Sequence, residues 1–255
     1  MNTMSVVDYL PPSVRVAKRA LVSWYGGEPE LRLLPVLCRP DRITLDVGAN
    51  HGIYAWHALK WSKEVVLFEP QPELAQFLRS AFGAKARVEE VALSDAEGTA
   101  VLRVPTDPML GGCATVEGTN GLDAVATVDY RVPVRPLDGY AFAPVGFVKL
   151  DVEGHELAVL RGARALIERD RPTIMLEAEE RHRPGALDSV AYFLRAAGYR
   201  GYYLEDRALR PIDGLATADG SVGGSATARG LFNFVFLSGE THGGALAGMI
   251  ADGPR

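Results

Sequence analysis

The chain holds only two cysteines, Cys38 and Cys113, too few for a disulfide framework. It shows no charged-then-apolar leader and no long apolar run, so the expectation is a cytoplasmic protein with no integral membrane segment. Basic charge is not in excess. Twenty-seven Lys and Arg against 32 Asp and Glu leave a net charge of -5, which offers no general attraction to nucleic acid. The clearest basic cluster is the short set Arg15, Lys18 and Arg19. Also missing are an Asn/Asp-Pro-Pro-Tyr/Phe block for gripping an extruded base and a Tyr-x-x-x-Lys pair for hydride transfer. Residues 105–129 contain no aromatic that could stack on a sugar face.

What remains is a 255-residue chain with 47% hydrophobic content, enough for one large core, so a single α/β domain with additions is expected. Apolar residues Val14, Ala17, Leu21 and Trp24 recur at helical spacing and predict an amphipathic helix over 13–25, packed on the sheet or over a pocket. Strands are predicted at 43–47, 64–68, 87–93, 147–151 and 173–177, with helices between them. Pro72 suits the first turn of the helix that follows the second strand, and Gly83 ends it. Between 99 and 140 the alternation gives way to two β-like pieces around a long polar loop, a hairpin insertion where acceptor contacts are expected. Residues 199–204 and 231–237 follow without an evident helix between them and predict an antiparallel edge pair. This gives a lead-in over 1–40, a main domain over 41–237 and a frayed tail over 238–255.

The most informative stretch is Leu45-Asp46-Val47-Gly48-Ala49-Asn50-His51-Gly52, a buried strand breaking into a glycine turn and a helix. A dinucleotide turn would read G-x-G-x-x-G and bring a helix terminus to a pyrophosphate. Here Asn50 fills the second glycine slot and a carboxylate precedes the turn, favouring a cationic, non-phosphate cofactor. Carboxylates also end the second strand, at Glu69, and the fourth, at Asp151. In a parallel sheet these ends share one edge and one crevice. Glu69 is placed to accept both hydroxyls of a ribose diol.

The segments Asp46–Gly52, Phe68-Glu69-Pro70, Ala92-Leu93-Ser94-Asp95, Lys149-Leu150-Asp151-Val152-Glu153-Gly154-His155-Glu156 and Leu160-Arg161-Gly162-Ala163 together resemble the FkbM family of S-adenosylmethionine-dependent methyltransferases. The similarity runs from about Gly27 to Leu237, and the Asp151–Glu156 block is its most specific part. The resemblance implies a class I methyltransferase sheet: Rossmann-like, mostly parallel, seven strands with an antiparallel edge strand, and helices on both faces. It implies O-methylation of a hydroxyl on a saccharide, glycolipid or secondary metabolite. The cofactor it implies is S-adenosyl-L-methionine, lined by Asp46, Gly48, Asn50 and Gly52, with Glu69 on the ribose and Ser94 facing adenine. Tyr54 and Asp151 complete the expected cofactor set.

A neutral hydroxyl is a poor nucleophile, so transfer calls for a general base or a metal that acidifies it. His155 is the expected base, with Asp151 and Glu153 beside it as catalytic partners. Asp151, Glu177 and Glu179 offer an alternative, a hard-cation site for Mg2+. Two other functions are weighed: a nicotinamide-dependent oxidoreductase and a methyltransferase acting on nitrogen. The expected partner is a small-molecule or saccharide acceptor and not nucleic acid, and the sequence leaves a homo-oligomer open.

Overall fold

In the computed structural model residues 10–107, 112–117, 125–217, 220–239, 246 and 248–250 are described. The strands are β1 (Ile43–Val47), β2 (Glu64–Phe68), β3 (Arg87–Glu89), β4 (Ala92–Leu93), β5 (Gly98–Pro105), β6 (Thr127–Arg135), β7 (Val145–Leu150), β8 (Thr173–Glu177), β9 (Tyr199–Glu205), β10 (Ala208–Pro211) and β11 (Asn233–Ser238). The helices are α1 (Pro12–Gly26), α2 (Leu34–Leu37), α3 (Ile53–Ala58), α4 (Pro72–Phe82), α5 (Glu156–Arg161), α6 (Arg164–Asp170), α7 (Ala186–Ala196) and α8 (Gly223–Ala228).

The main sheet runs β10-β9-β11-β8-β7-β1-β2-β3. Strands β3, β2, β1, β7 and β8 are parallel, and β1 lies between β2 and β7, so the strand order reverses there. That reversal opens a crevice at the carboxyl edge between the two halves of the sheet. Both faces are covered, which is why β1 and β7 are buried along their whole length. Leu45, Val47, Val148, Leu150, Ile174 and Leu176 pack under α5, α6 and α7. On the other face Phe147, Met175 and Val235 pack with Leu31, Leu34 and Phe82 from the α1–α4 side.

Several features differ from the sequence expectation. The sheet has eight strands, and the antiparallel strand β11 lies inside it, between β8 and β9. Phe234, Val235 and Phe236 are each almost fully buried, as covered faces require, and the edge passes to the β9–β10 hairpin. That hairpin turns at Asp206 and Arg207, both with positive φ, a two-residue turn built without the glycine that usually marks one. Helix α8 also lies in this stretch, so the connection is not a plain loop.

The predicted third strand divides. After pairing with β2 through Glu89 the chain leaves the main sheet, and Ala92–Leu93 joins a second sheet of order β4-β6-β5. Its β5–β6 hairpin confirms the insertion; part of the loop at its tip lies outside the described residues. Helix α1 forms as expected but presents a different face. Val16 and Ala20 are fully buried against α3 and α4, while Val14 and Leu21 are 45% and 46% exposed. The small side chain of Ala20 admits His57, whose Nε2 lies 3.1 Å from the Ala20 carbonyl, and Trp24 stacks on the same ring at 4.9 Å. In the expected frayed tail, Leu246 is buried and Ile250 bridges Leu209; residues 240–245, 247 and 251–255 lie outside the described set. No described helix is long and apolar enough to cross a membrane.

Candidate functional site

The glycine turn joins β1 to α3 through three residues of positive φ, Gly48 at 75°, Asn50 at 48° and Gly52 at 74°. At Gly48 a Cβ would stand 1.8 Å from the Asp151 carbonyl, so only glycine lets the turns after β1 and β7 touch. Gly52 serves packing: a Cβ there would meet Phe82 and Leu78 of α4, and it lines neither cavity described below. Gly52, an expected cofactor contact, thus has a packing role between α3 and α4. Asp46 is buried and its Oδ2 accepts the Ala55 amide of α3 at 2.9 Å. Burial pushes its pKa up to about 6, with Lys149 opposing the rise.

Two cavities meet at this turn, sharing Gly48, Asn50 and Asp151. The first, of about 60 Å3, is walled by Phe68, Glu69, Val91, Ala92 and Leu93 and roofed by Leu102, Ala114 and Val116 of the insertion. Glu69 is buried at its rim, and its two oxygens accept the Asn50 amide at 2.7 Å and the Gln71 amide at 2.9 Å. Each oxygen keeps a second lone pair, as a vicinal diol requires. Burial raises the Glu69 pKa to about 7 despite those donors. Ser94 lies behind the cavity rather than on its wall, its hydroxyl 2.9 Å from His155 Nε2.

The second cavity, of about 420 Å3, holds Glu28, Asp46, Tyr54, Lys149, Asp151, Glu177 and Asn233. The second volume falls in the range of small-molecule sites, and the first is a narrow cleft beside it. Strand parity explains the lining. Asp46 pairs in register with Lys149, and Glu177 with Asn233. Lys149, Glu177 and Asn233 each stand two residues from Phe147, Met175 and Val235, so they continue those apolar columns to the carboxyl edge as a polar row. Glu28, Asp46 and Asp151 against one ammonium leave the cavity net negative, while burial, with Asp151 adding to it, raises the Glu177 pKa to about 8. Tyr54 is where a cofactor contact was expected; Glu28, Lys149 and Asn233 were missed. Lys149 had a signal, a lysine inside an otherwise apolar strand.

The block after β7 is tied to the insertion. The Thr115 hydroxyl donates to the Glu153 carbonyl at 2.9 Å, and His155 Nδ1 is 3.2 Å from Glu117 Oε2. Both imidazole nitrogens are therefore engaged within the protein, with Ser94 and with Glu117. Glu153 adopts φ 53° and its carboxylate lies 2.7 Å from His182 Nε2. Asp151 is different: its side chain is 34% exposed, lies 3.5 Å from Lys149 Nζ, and reaches both cavities.

The expected cation site does not assemble. Arg181 takes both oxygens of Glu179, Glu177 hydrogen-bonds to Glu179, and Asp151 faces Lys149. Among the described residues no group of three or more His, Cys, Asp or Glu could hold a metal ion. The donor set of Asp151, Glu177 and Glu179 does not fit Mg2+, because its charge is already matched by protein cations.

A family model described as the methyltransferase FkbM domain matches residues 46–200, more than half of the chain. An FkbM methyltransferase from Methylobacillus flagellatus is 20% identical with a TM-score of 0.48; the alignment covers 75% of this chain and 44% of that one. The chain thus spans less than half the length of that protein. An O-methyltransferase from Bacillus cereus, solved in complex with SAH, is 13% identical over 88% of this chain and 89% of that one, TM-score 0.46. An rRNA methylase from Streptococcus thermophilus is 12% identical over 82% and 93%, TM-score 0.42. No curated protein matches the chain.

Proposed function

The chain belongs to the FkbM methyltransferase family, and from that premise we propose that it moves the methyl group of S-adenosyl-L-methionine to a hydroxyl of a saccharide, glycolipid or secondary metabolite. The observation that carries the donor is Glu69: a buried carboxylate at the end of β2, with lone pairs left for a diol, on the wall of a cavity that runs into the glycine turn. The apolar residues Phe68, Val91 and Leu93 suit an adenine beside it. The second cavity suits the rest of the donor, since its net negative charge complements a sulfonium amino acid of net positive charge. When bound, that group supplies an electrophilic methyl carbon.

Asp151 is the group we assign to receive the hydroxyl proton, because it stands where the two cavities join and is not locked by other carboxylate contacts. His155 and Glu153 position the insertion over the first cavity through Glu117 and Thr115. His155→Ala is expected to leave S-adenosylhomocysteine affinity within about threefold while making residues 112–117 more open to limited proteolysis; unchanged proteolysis with lost turnover would return His155 to the role of base.

A carboxylate-rich pocket accepts hydrogen bonds from hydroxyls and repels anionic acceptors, which favours a neutral polyol and not nucleic acid. We assign residues 41–237 to the catalytic domain with α1 as a packed lead-in. The free thiols Cys38 and Cys113 accord with the reducing cytoplasmic setting we propose. Calorimetry decides the donor: S-adenosylmethionine should bind at micromolar concentration and NAD should not. No heat with S-adenosylmethionine at millimolar concentration, or binding of NAD instead, overturns the reading.

A further inference from the structure

Lys149 is 1% exposed in the middle of the sheet, yet its ammonium donates no hydrogen bond among the described residues. It has an ion pair with Asp151 at 3.5 Å and lies 4.8 Å from the centre of the Tyr54 ring. In the same cavity Asn233 Oδ1 is also buried without a hydrogen-bond partner. A buried charge with unfilled N–H donors costs stability, and an apolar residue of similar volume would fold better there. The amine's donors are therefore kept for something other than protein.

Burial alone would strip the proton from this amine, but Asp151, Glu177, Asp46 and Glu28 outweigh it, so Lys149 remains an ammonium and is not a base. Its place along the carboxyl edge says what it meets. Passing across the sheet, Glu69 follows β2, the glycine turn follows β1, β7 carries Lys149 and is followed by Asp151, β8 ends at Glu177, and β11 begins at Asn233. With the nucleoside on the β2 side, the reacting ends of donor and acceptor fall to the stretch beyond the glycine turn, where β7 follows β1 at one strand spacing, roughly 4.8 Å.

We propose that Lys149 is a catalytic residue, whose ammonium, with the Asn233 side chain beside it, binds the nucleophilic oxygen of the acceptor and holds the negative charge that develops on it. The inference rests on the donor reading above. In the step, the acceptor hydroxyl gives its proton to the Asp151 carboxylate, the O–CH3 bond forms as the S–CH3 bond breaks, and the electron pair of the broken bond stays on sulfur as a neutral thioether. Lys149 keeps its protons throughout and acts by stabilising charge. The same ammonium selects oxygen over nitrogen, because an attacking amine develops positive charge on nitrogen and would meet it with like charge.

The test needs no acceptor. Three ligands are titrated calorimetrically at pH 7.5 into wild type and Lys149→Met: 5′-methylthioadenosine, which lacks the amino-acid tail, S-adenosylhomocysteine, which has it, and sinefungin, which carries an amine at the methyl position. If Lys149 faces that position, Lys149→Met leaves the first two within about threefold and tightens sinefungin by about tenfold, because a like charge has been removed. Lys149→Gln, which keeps a donor and loses the charge, should reproduce the gain and covers the case in which the methionine variant fails to fold. Equal weakening of S-adenosylhomocysteine and sinefungin with 5′-methylthioadenosine unchanged would show that the amine holds the donor's carboxylate, and overturns the proposal. So does an unchanged sinefungin to S-adenosylhomocysteine ratio. Failure of all three ligands to bind wild type removes the donor reading itself, a different result from either.

Discussion

Gly48→Ala is expected to abolish binding of S-adenosylhomocysteine and to lower the melting temperature by on the order of 10 °C. Two costs add. At φ 75° an alanine pays about 1–2 kcal/mol for left-handed backbone. Its Cβ would also stand 1.8 Å from the Asp151 carbonyl, a backbone atom that cannot swing aside as a side chain could. Relief requires parting the turns after β1 and β7, whose contact includes the Asp151 amide donating to the Val47 carbonyl at 3.0 Å. Those are the turns at which the two cavities meet, so stability and ligand binding fall together. Gly185 supplies the control. It has the same φ, 74°, and no atom within 4 Å of its would-be Cβ, so Gly185→Ala isolates the backbone term at about 2–4 °C for roughly 1 kcal/mol in a chain of this size. Differential scanning calorimetry on both variants separates close approach from dihedral strain; equal losses would show that the β1–β7 contact yields without cost.

The parts of this site that were legible in the sequence are those set by local chemistry. Gly48 and Asn50 announce a turn with positive φ, and Pro72 and Gly83 bracket α4 as their backbone preferences demand. The fold class followed from the alternation of strand and helix together with the family resemblance. What stayed hidden depends on strand order. Nothing local in Asn233-Phe234-Val235-Phe236 says that this strand enters between β8 and β9, although its unbroken apolar run argued against an edge. Once it is there, Asn233 faces Glu177, and Lys149 stands beside Asp46 from far along the chain. A polar row assembled across four strands has no sequence period to betray it. The surroundings of His155 were hidden for a related reason: imidazole beside two acids reads as a base, while Ser94 and Glu117, which engage both its nitrogens, come from β4's end and the insertion. Gly52 was read as a ligand contact because the motif contains it, yet the atoms it makes room for belong to α4.

Donor affinity should fall about tenfold as the pH drops from 8 to 6, and Glu69→Gln should remove most of that dependence while weakening binding by about 10- to 100-fold. Burial raises the Glu69 pKa to about 7, so near neutrality the free protein holds a mixture of carboxyl and carboxylate. Only the carboxylate can accept from both hydroxyls of a ribose while still accepting the Asn50 and Gln71 amides. Binding below pH 7 must therefore expel a proton, and the apparent affinity loses up to a factor of ten for each pH unit. The sign for stability runs the other way in the free protein. A carboxyl whose folded pKa is raised contributes stability below its unfolded value near 4.5, and that contribution is lost as the pH rises through 7. The melting-temperature gain conferred by S-adenosylhomocysteine should accordingly widen from pH 6 to pH 8 in wild type and stay nearly flat in Glu69→Gln. The size of the mutational loss follows from hydrogen bonds to a charged acceptor, about 1.5–3 kcal/mol. Glutamine makes matters worse locally, since its amide nitrogen would confront one of the two backbone N–H groups that the carboxylate now accepts. Asp46, with its pKa near 6, adds its own dependence at the acid end and Glu177, raised by burial to about 8, adds one at the alkaline end, so the part of the slope that Glu69→Gln removes is what reports Glu69. Titrations of S-adenosylhomocysteine at half-unit steps across the same pH range decide the matter: a flat wild-type profile would mean that the diol does not bind at Glu69.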